Sequence, residues 1–243
     1  MEIPVTTVEE AVFMAKVAEQ AERYEDMLIF LQPVVKKTEE LQSEERNLVS
    51  VAFKNLSGNK RTAWRALTAI EENPKYEKYH EKTKAYKTKI EAELKKICQD
   101  AIKTIDTSLL KNATSAEAKV FYLKMKADYY RYSGEVCSGK ELEEVSSKAE
   151  ESYASAKKVS ETLPPTDPVR IGLALNYSVF LYEIKKRPKD ACAMAKTAFD
   201  EAISGLQDLD EEKYKDSTAI MQLLKDNLTL WTTELEEGEE EAK

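Results

Sequence analysis

Apolar residues recur at helical spacing along almost the whole chain, and little in it can turn. Only 6 Gly and 7 Pro occur in 243 residues, while 34% of residues are charged. That pattern predicts long helices joined by short connections. In TTVEEAVFMAKVAEQAER, Val8, Ala11, Val12, Ala15 and Ala18 fall on one helical face. A second helix covers YEDMLIFLQPVVKKTEEL, with a bend expected at Pro33. A third opens with Ser43 as N-cap, carries acids in its first turn and runs to Asn73 despite Gly58. A fourth, long and charged, starts near Pro74. Further helices begin near Ser115 and Lys140, then at Pro168 after the break LPPTDP, and RPKD separates the last two helical segments. The reading is all-α, roughly nine helices with antiparallel neighbours in one domain over residues 1–233. No period of about 33 to 47 residues marks a solenoid.

Composition removes several function classes. The net charge is −8, but the last ten residues, ELEEGEEEAK, hold six Glu and one Lys and so account for −5 of it. This tail, residues 234–243, is too polar to bury and is expected to be disordered. A broadly acidic surface excludes nucleic acid as a partner, because phosphate-backbone binding needs a basic one. It does not exclude a single phosphate held in a local basic pocket. No apolar run is long enough for membrane insertion, and the first residues show no secretory signal pattern. Cys98, Cys137 and Cys192 are far apart and form no CxxC pair, as expected for reduced thiols of a cytoplasmic protein, with a nuclear location also open. No phosphate-loop or dinucleotide motif occurs, so no cofactor is expected. His80 is the single histidine and has no second imidazole with which to bind a metal, so no metal is expected. Nothing assembles a catalytic constellation, and the chain is read as a non-enzyme.

Four helical stripes do not fit a plain bundle. Lys54, Arg61 and Arg65 share one with Asn47; Lys124, Asp128 and Arg131 share another within VFYLKMKADYYRY. Each alone could be a solvated face. In VRIGLALNYSVFLYEI, however, Asn176 and Glu183 interrupt an apolar pattern on the stripe that holds Gly172 and Val179, flanked by Leu175. In TAIMQLLKDNLTLW, Asn227 lies within the face of Ile220, Leu223, Leu224 and Trp231. Polar groups so placed need partners, at a cost of about 1–3 kcal/mol each without them. The two amides either bond each other across the core or line a groove and bond an incoming backbone. Taken together the stripes describe a groove. One wall is basic, from Lys54, Arg61, Lys124 and Arg131; the other is apolar, from Leu175, Val179, Ile220, Leu223 and Leu230 with the two amides. An extended phosphopeptide needs that combination.

These residues lie in segments that resemble the 14-3-3 family over nearly the whole chain. RNLVSVAFKN (46–55) and YKDSTAIMQLLKDNLTLW (214–231) look like its two signatures, and AEQAERYEDM, VFYLKMKADYYRY and GLALNYSVFLYEI match at characteristic points. The resemblance implies a nine-helix, cup-shaped protomer that dimerises and binds phosphoserine or phosphothreonine segments of client proteins. It places the phosphate on Lys54, Arg61, Arg131 and Tyr132. It gives the peptide main chain to Lys124, Asn176 and Asn227, with Glu183 and Trp231 completing that network. Leu175, Val179, Leu223 and Leu230 form the apolar wall, and Asp128 orients the neighbouring bases. It also implies a homodimer or heterodimer seam from the first four helices. There the Ala/Val face with Val12 packs on its mate, and Arg23, Asp26, Tyr86, Lys89 and Glu93 make cross-subunit contacts.

Some positions depart from the family pattern. Ala63 stands where many members carry a serine whose phosphorylation disfavours the dimer, so that switch is expected to be absent. Phe53, Lys60 and Lys225 replace a usual tyrosine and two usual arginines, and none removes a groove ligand. A rival reading from a different class is a phosphate-independent helical scaffold that binds partner helices through the apolar wall.

Overall fold

A computed structural model of the protein describes residues 4–37 and 39–241, with side chains to 237. Among the described residues the chain is helical and contains no strand. The helices are α1 (Val8–Gln20), α2 (Tyr24–Val35), α3 (Ser43–Glu71), α4 (His80–Thr104), α5 (Ala116–Gly134), α6 (Gly139–Ser160), α7 (Pro168–Glu183), α8 (Pro188–Ile203) and α9 (Glu211–Glu241). Helix α4 continues through a π-helical turn at Ile105–Leu109 into a last α-turn, Leu110–Asn112. The chain divides into two compact units. One comprises residues 1–113 and 132–139; the other comprises 114–131 and 140–243.

Helix ends follow their local chemistry. Thr7 and Glu10 form a reciprocal cap on α1: Thr7 Oγ1 accepts from the Glu10 amide at 3.1 Å, and Glu10 Oε2 accepts from the Thr7 amide at 3.2 Å. At the other end Glu22 takes φ +54°, and the Arg23 amide reaches back to the Ala18 carbonyl at 2.8 Å, which turns the chain sharply into α2. Asp167 caps α7, accepting from the Val169 amide at 2.8 Å, with Pro168 at the first helical position, where its missing N–H costs nothing.

Three boundary expectations are corrected. The N-cap of α3 is Gln42 rather than Ser43, because Glu45 Oε2 accepts from the Gln42 amide at 3.0 Å. Helix α2 ends at Val35, two residues past Pro33, and does not extend to Leu41. Pro74–Tyr79 is a 3₁₀ segment, and the α-helix proper begins at His80. Of the acidic tail, residues 234–241 continue α9, and the last two lie outside the described residues.

In the first unit α1 packs on α2, α2 on α3 and α3 on α4. Met27, Leu31, Val49, Phe53, Leu94 and Cys98 are buried in it, each large apolar side chain contributing about 1.5–3 kcal/mol. Burial pushes the Cys98 thiol up to about 12. Asn112 Nδ2 donates to the Lys37 carbonyl at 2.8 Å and ties the end of the α4 stretch to the end of α2. In the second unit α7, α8 and α9 pack against one another. Their core is built from Tyr153, Ile171, Leu173, Phe180, Leu224 and Trp231. Tyr153 lies parallel to Tyr177 with ring centroids 5.0 Å apart.

Candidate functional site

Each unit contains one cluster in which a shielded carboxylate holds basic residues singled out from the sequence. In the second unit that carboxylate is Asp128, on α5 and buried. Lys124 Nζ lies 3.0 Å from its Oδ2, one helical turn away, and Arg131 Nη2 lies 3.6 Å from its Oδ1. Asn176 of α7 donates its Nδ2 to both oxygens, at 3.0 and 2.9 Å. Tyr153 of α6 donates its hydroxyl to Oδ1 at 2.5 Å and accepts from Arg131 Nε at 3.3 Å. Glu183 stands at the edge, 3.9 Å from Arg131 Nη1.

Burial is the largest influence on Asp128 and opposes its ionisation. Lys124 and Arg131, with the hydrogen bonds from Tyr153 and Lys124, outweigh it and hold the carboxyl below its ordinary value. The Tyr153 phenol is pushed well above its ordinary value, by burial first and then by the Asp128 charge, so it remains a donor. Two cations, an amide and a phenol are thus fixed around one anion. Asp128 is in contact with both of the bases with which it shares a stripe. Asn176 bonds Asp128, and no bond between Asn176 and Asn227 occurs among the described residues.

In the first unit the carboxylate is Glu135, one residue past the end of α5. Arg61 donates from Nε to both oxygens, at 3.1 and 3.0 Å, and from Nη2 to Oε1 at 2.5 Å. Arg65 Nη2 adds a bond to Oε2 at 3.2 Å. The Arg61 guanidinium also lies over the Tyr132 ring, 4.1 Å from its centroid. Lys54, nearly two turns before Arg61 on α3, is exposed and makes no ion pair among the described residues. Arg131 and Tyr132 are consecutive on α5 and belong one to each unit.

The apolar wall candidates sit at the surface of the second unit's core. Leu175, Val179 and Ile220 are half-buried against it, and a Cβ at Gly172 would come 3.9 Å from Ile220 Cδ1, an ordinary contact. Leu223 and Leu230 are 52% and 55% exposed, whereas Trp231 is buried and stacks on Tyr182 at 4.7 Å. The face of Ile220, Leu223, Leu224 and Trp231, with Asn227 near its middle, is buried only along one edge. Met221, Leu224 and Trp231 turn into the core, while Leu223 and Leu230 stay outside and Asn227 is half-buried. Adjacent residues point about 100° apart on a helix, so Leu223 and Leu224 cannot both face inward on a narrow stripe.

The small-residue face of α1 is likewise taken up within the chain: Ala11, Ala15 and Ala18 are buried, and Val12 is half-buried. What α1 leaves outside is Phe13 and Val17, with Ile29 on α2 and Tyr86 on α4 also exposed. Arg23 pairs with Asp26 at 2.8 Å, and Glu93 takes Lys60 at 2.6 Å and Lys89 at 3.9 Å.

Sequence reasoning missed Glu135 and Tyr153. Glu135 follows a helix end, where periodicity says nothing, and nothing in the spacing of Tyr153 along α6 marks it off from an ordinary core aromatic. His80 is partly exposed, with Nε2 3.8 Å from a Glu71 oxygen. No metal-binding cluster of His, Cys, Asp or Glu occurs among the described residues, and no described helix is long and apolar enough to cross a membrane. A cavity of about 520 Å³ in the second unit lies between α6, α7 and α8 beside Arg170, Tyr177 and Met194, and none of the candidate ligands lines it.

Comparison with known proteins finds a matching family model, described as 14-3-3 protein, over residues 14–232. The 14-3-3 protein beta/alpha of Mus musculus is 52% identical over 235 residues, covering 96% of both chains. The 14-3-3 protein zeta of Xenopus laevis is 52% identical over 234 residues with the same coverage.

Proposed function

The chain belongs to the 14-3-3 family, and on that premise we propose that it is a non-catalytic adaptor for phosphoserine- or phosphothreonine-containing segments of client proteins. Lys54, Arg61, Arg131 and Tyr132 take the phosphate. Lys124, Asn176 and Asn227 hold the peptide main chain, with Glu183 and Trp231 in the same network. Leu175, Val179, Ile220, Leu223 and Leu230 receive peptide side chains, while Arg65, Asp128 and Gly172 support the ligands.

The observation that carries this reading is the set of cations held ready around Asp128. A buried carboxylate fixes Lys124 and Arg131 with 3.0 and 3.6 Å contacts before any ligand arrives. Side chains already ordered lose less freedom on binding, so more of their attraction appears as affinity. The exposed Leu223 and Leu230 supply the uncovered apolar surface that an extended peptide needs. Calorimetry with one peptide in phosphorylated and unphosphorylated form tests the reading. Two or three charge-assisted bonds, each worth about 1.5–3 kcal/mol, should favour the phosphorylated form by at least about a hundredfold. Equal affinities would leave the phosphate-independent scaffold as the better account.

The adaptor acts as a dimer with itself or a close relative through α1, α2 and α4, and its place of action is the cytoplasm. Asp26, Tyr86, Lys89 and Glu93, with the half-buried Val12, lie on those helices and Arg23 is the N-cap of α2; the exposed Phe13, Val17 and Ile29 add apolar area there. Two phosphate sites at fixed spacing raise affinity for doubly phosphorylated clients through effective concentration. The double variant Arg23→Glu, Tyr86→Gln should sediment as a monomer at concentrations where the wild-type chain is a dimer. A wild-type chain that is monomeric under those conditions overturns the dimer assignment.

A further inference from the structure

The cavity of about 520 Å³ between α6, α7 and α8 has the size of a small-molecule pocket. We propose that it binds an uncharged, flat aromatic molecule of two or three fused rings, carrying a group that hydrogen-bonds the Tyr177 hydroxyl. The site shares no residue with those assigned above to phosphate, peptide or partner subunit.

Tyr177 is the distinctive residue of its wall. It is 9% exposed, it lines the cavity, and its hydroxyl makes no hydrogen bond among the described residues. A shielded phenol normally has a partner. This one is not free to turn away and find one. Its ring lies parallel to that of Tyr153, with centroids 5.0 Å apart, and Tyr153 is held in turn by its 2.5 Å bond to Asp128. Burial first, and the charge of Glu150 second, raise the Tyr177 phenol above its ordinary value, so it stays protonated and can donate. A donor already fixed in place loses little freedom when a ligand arrives.

The rest of the wall sets the ligand's shape and charge. Ile171, Leu173, Ala174, Leu181, Met194 and Ala198 make it largely apolar. Ala174 on α7 and Ala198 on α8 are small and leave the space open, and the Met194 thioether suits contact with an aromatic ring. From Arg170 to Leu181 the cavity follows α7 for about 16 Å, at about 1.5 Å per residue. At one end Arg170 pairs with Glu201 at 2.8 Å. At the other, where the Arg187 amide donates to the Leu181 carbonyl at 2.9 Å, Arg187 pairs with Asp190 at 2.6 Å. Lys157 and Glu161, the remaining charged residues of the lining, are opposite in sign and lie close together in the sequence. The lining charges therefore sum to zero. A charged ligand would give up its water without gaining a net counter-charge, which favours an uncharged one. An alkyl chain could fill the length but would offer the phenol nothing.

The probe is 2-naphthol, which has two fused rings and one hydroxyl and is uncharged at neutral pH. It is titrated into the full chain labelled with carbon-13 at the methionine methyls, the Met194 resonance being identified from its loss in Met194→Leu. That resonance should move and saturate. Tyr177→Phe, which keeps the ring and removes the hydroxyl, should weaken binding about fivefold. Ala174→Leu, which fills the cavity, should weaken it at least about tenfold. 2-Naphthoate, the anionic counterpart, should bind at least about tenfold more weakly than 2-naphthol to the wild-type chain. The proposal is overturned if the Met194 resonance stays in place up to the solubility limit of the probe, whether or not the probe binds elsewhere. It is also overturned if Tyr177→Phe, with an unchanged thermal midpoint, binds the probe as tightly as wild type, or if the naphthoate binds as well as the naphthol.

Discussion

Lys54→Glu should remove nearly all affinity for a phosphoserine peptide while leaving helical content and thermal midpoint as in the wild-type chain. Lys54 is exposed and engages no carboxylate among the described residues, so folding does not depend on its charge. Binding does, if phosphate is the ligand. The substitution replaces a charge-assisted bond of about 1.5–3 kcal/mol with a repulsion of similar size. The combined loss of about 3–6 kcal/mol corresponds to roughly a hundredfold to ten-thousandfold, at about 1.4 kcal/mol per decade. Titration calorimetry with phosphorylated and unphosphorylated peptides reads this directly. Binding of the phosphopeptide within threefold of wild type would take Lys54 out of the pocket, and with it half of the basic wall carried by α3.

Asp128→Ala should have the largest effect on stability of any single change at these clusters. It strips the partner from Lys124 and the buried Arg131, and leaves the Tyr153 hydroxyl and the Asn176 amide without their acceptor. Breaking a buried pair from one side costs about 3–5 kcal/mol. In a chain of this length that lowers the thermal midpoint by roughly 6–20 °C, at about 2–4 °C per kcal/mol. Differential scanning calorimetry measures it. The pH dependence has a definite sign. The Asp128 carboxyl is held below its ordinary value in the fold, so its contribution is complete above the unfolded value of about 3.9 and is lost as pH falls through the lowered one. Wild type and Asp128→Ala should therefore differ by a constant amount from pH 8 to about 5 and converge only in strong acid. A midpoint shift below about 2 °C at pH 7 would mean that Asp128 is a spectator.

The helix layout was legible because it depends on local order: periodicity, caps and breakers act within a few residues of where they are read. Pro168 starts a helix with Asp167 as its cap because both requirements lie in adjacent letters. The individual stripes were legible for the same reason, and Asp128 with Lys124 and Arg131 could be aligned from spacing alone. What spacing does not carry is which stripe meets which. Tyr153 reaches Asp128 from 25 residues away, and Glu135 reaches Arg61 from 74. Those contacts come from packing whole helices, to which no short window is sensitive. On α9 spacing gave the face but not how deeply each part of it is buried: the core takes the edge with Leu224 and Trp231 and leaves Leu223 outside.

Cys98 offers a use unrelated to phosphate. Its side chain is wholly buried in the first unit, and its thiol, pushed up to about 12, carries almost no thiolate near neutral pH. A soluble alkylating reagent added to the native protein should meet Cys137 and Cys192, which are both partly exposed, long before it meets this sulfur. Modification of the third thiol must then wait for the core around α4 to open, so its rate is a clock for that opening. Mass spectrometry can read that clock with and without a bound peptide, on an unaltered chain, and report how firmly an adaptor holds itself together while it holds its client.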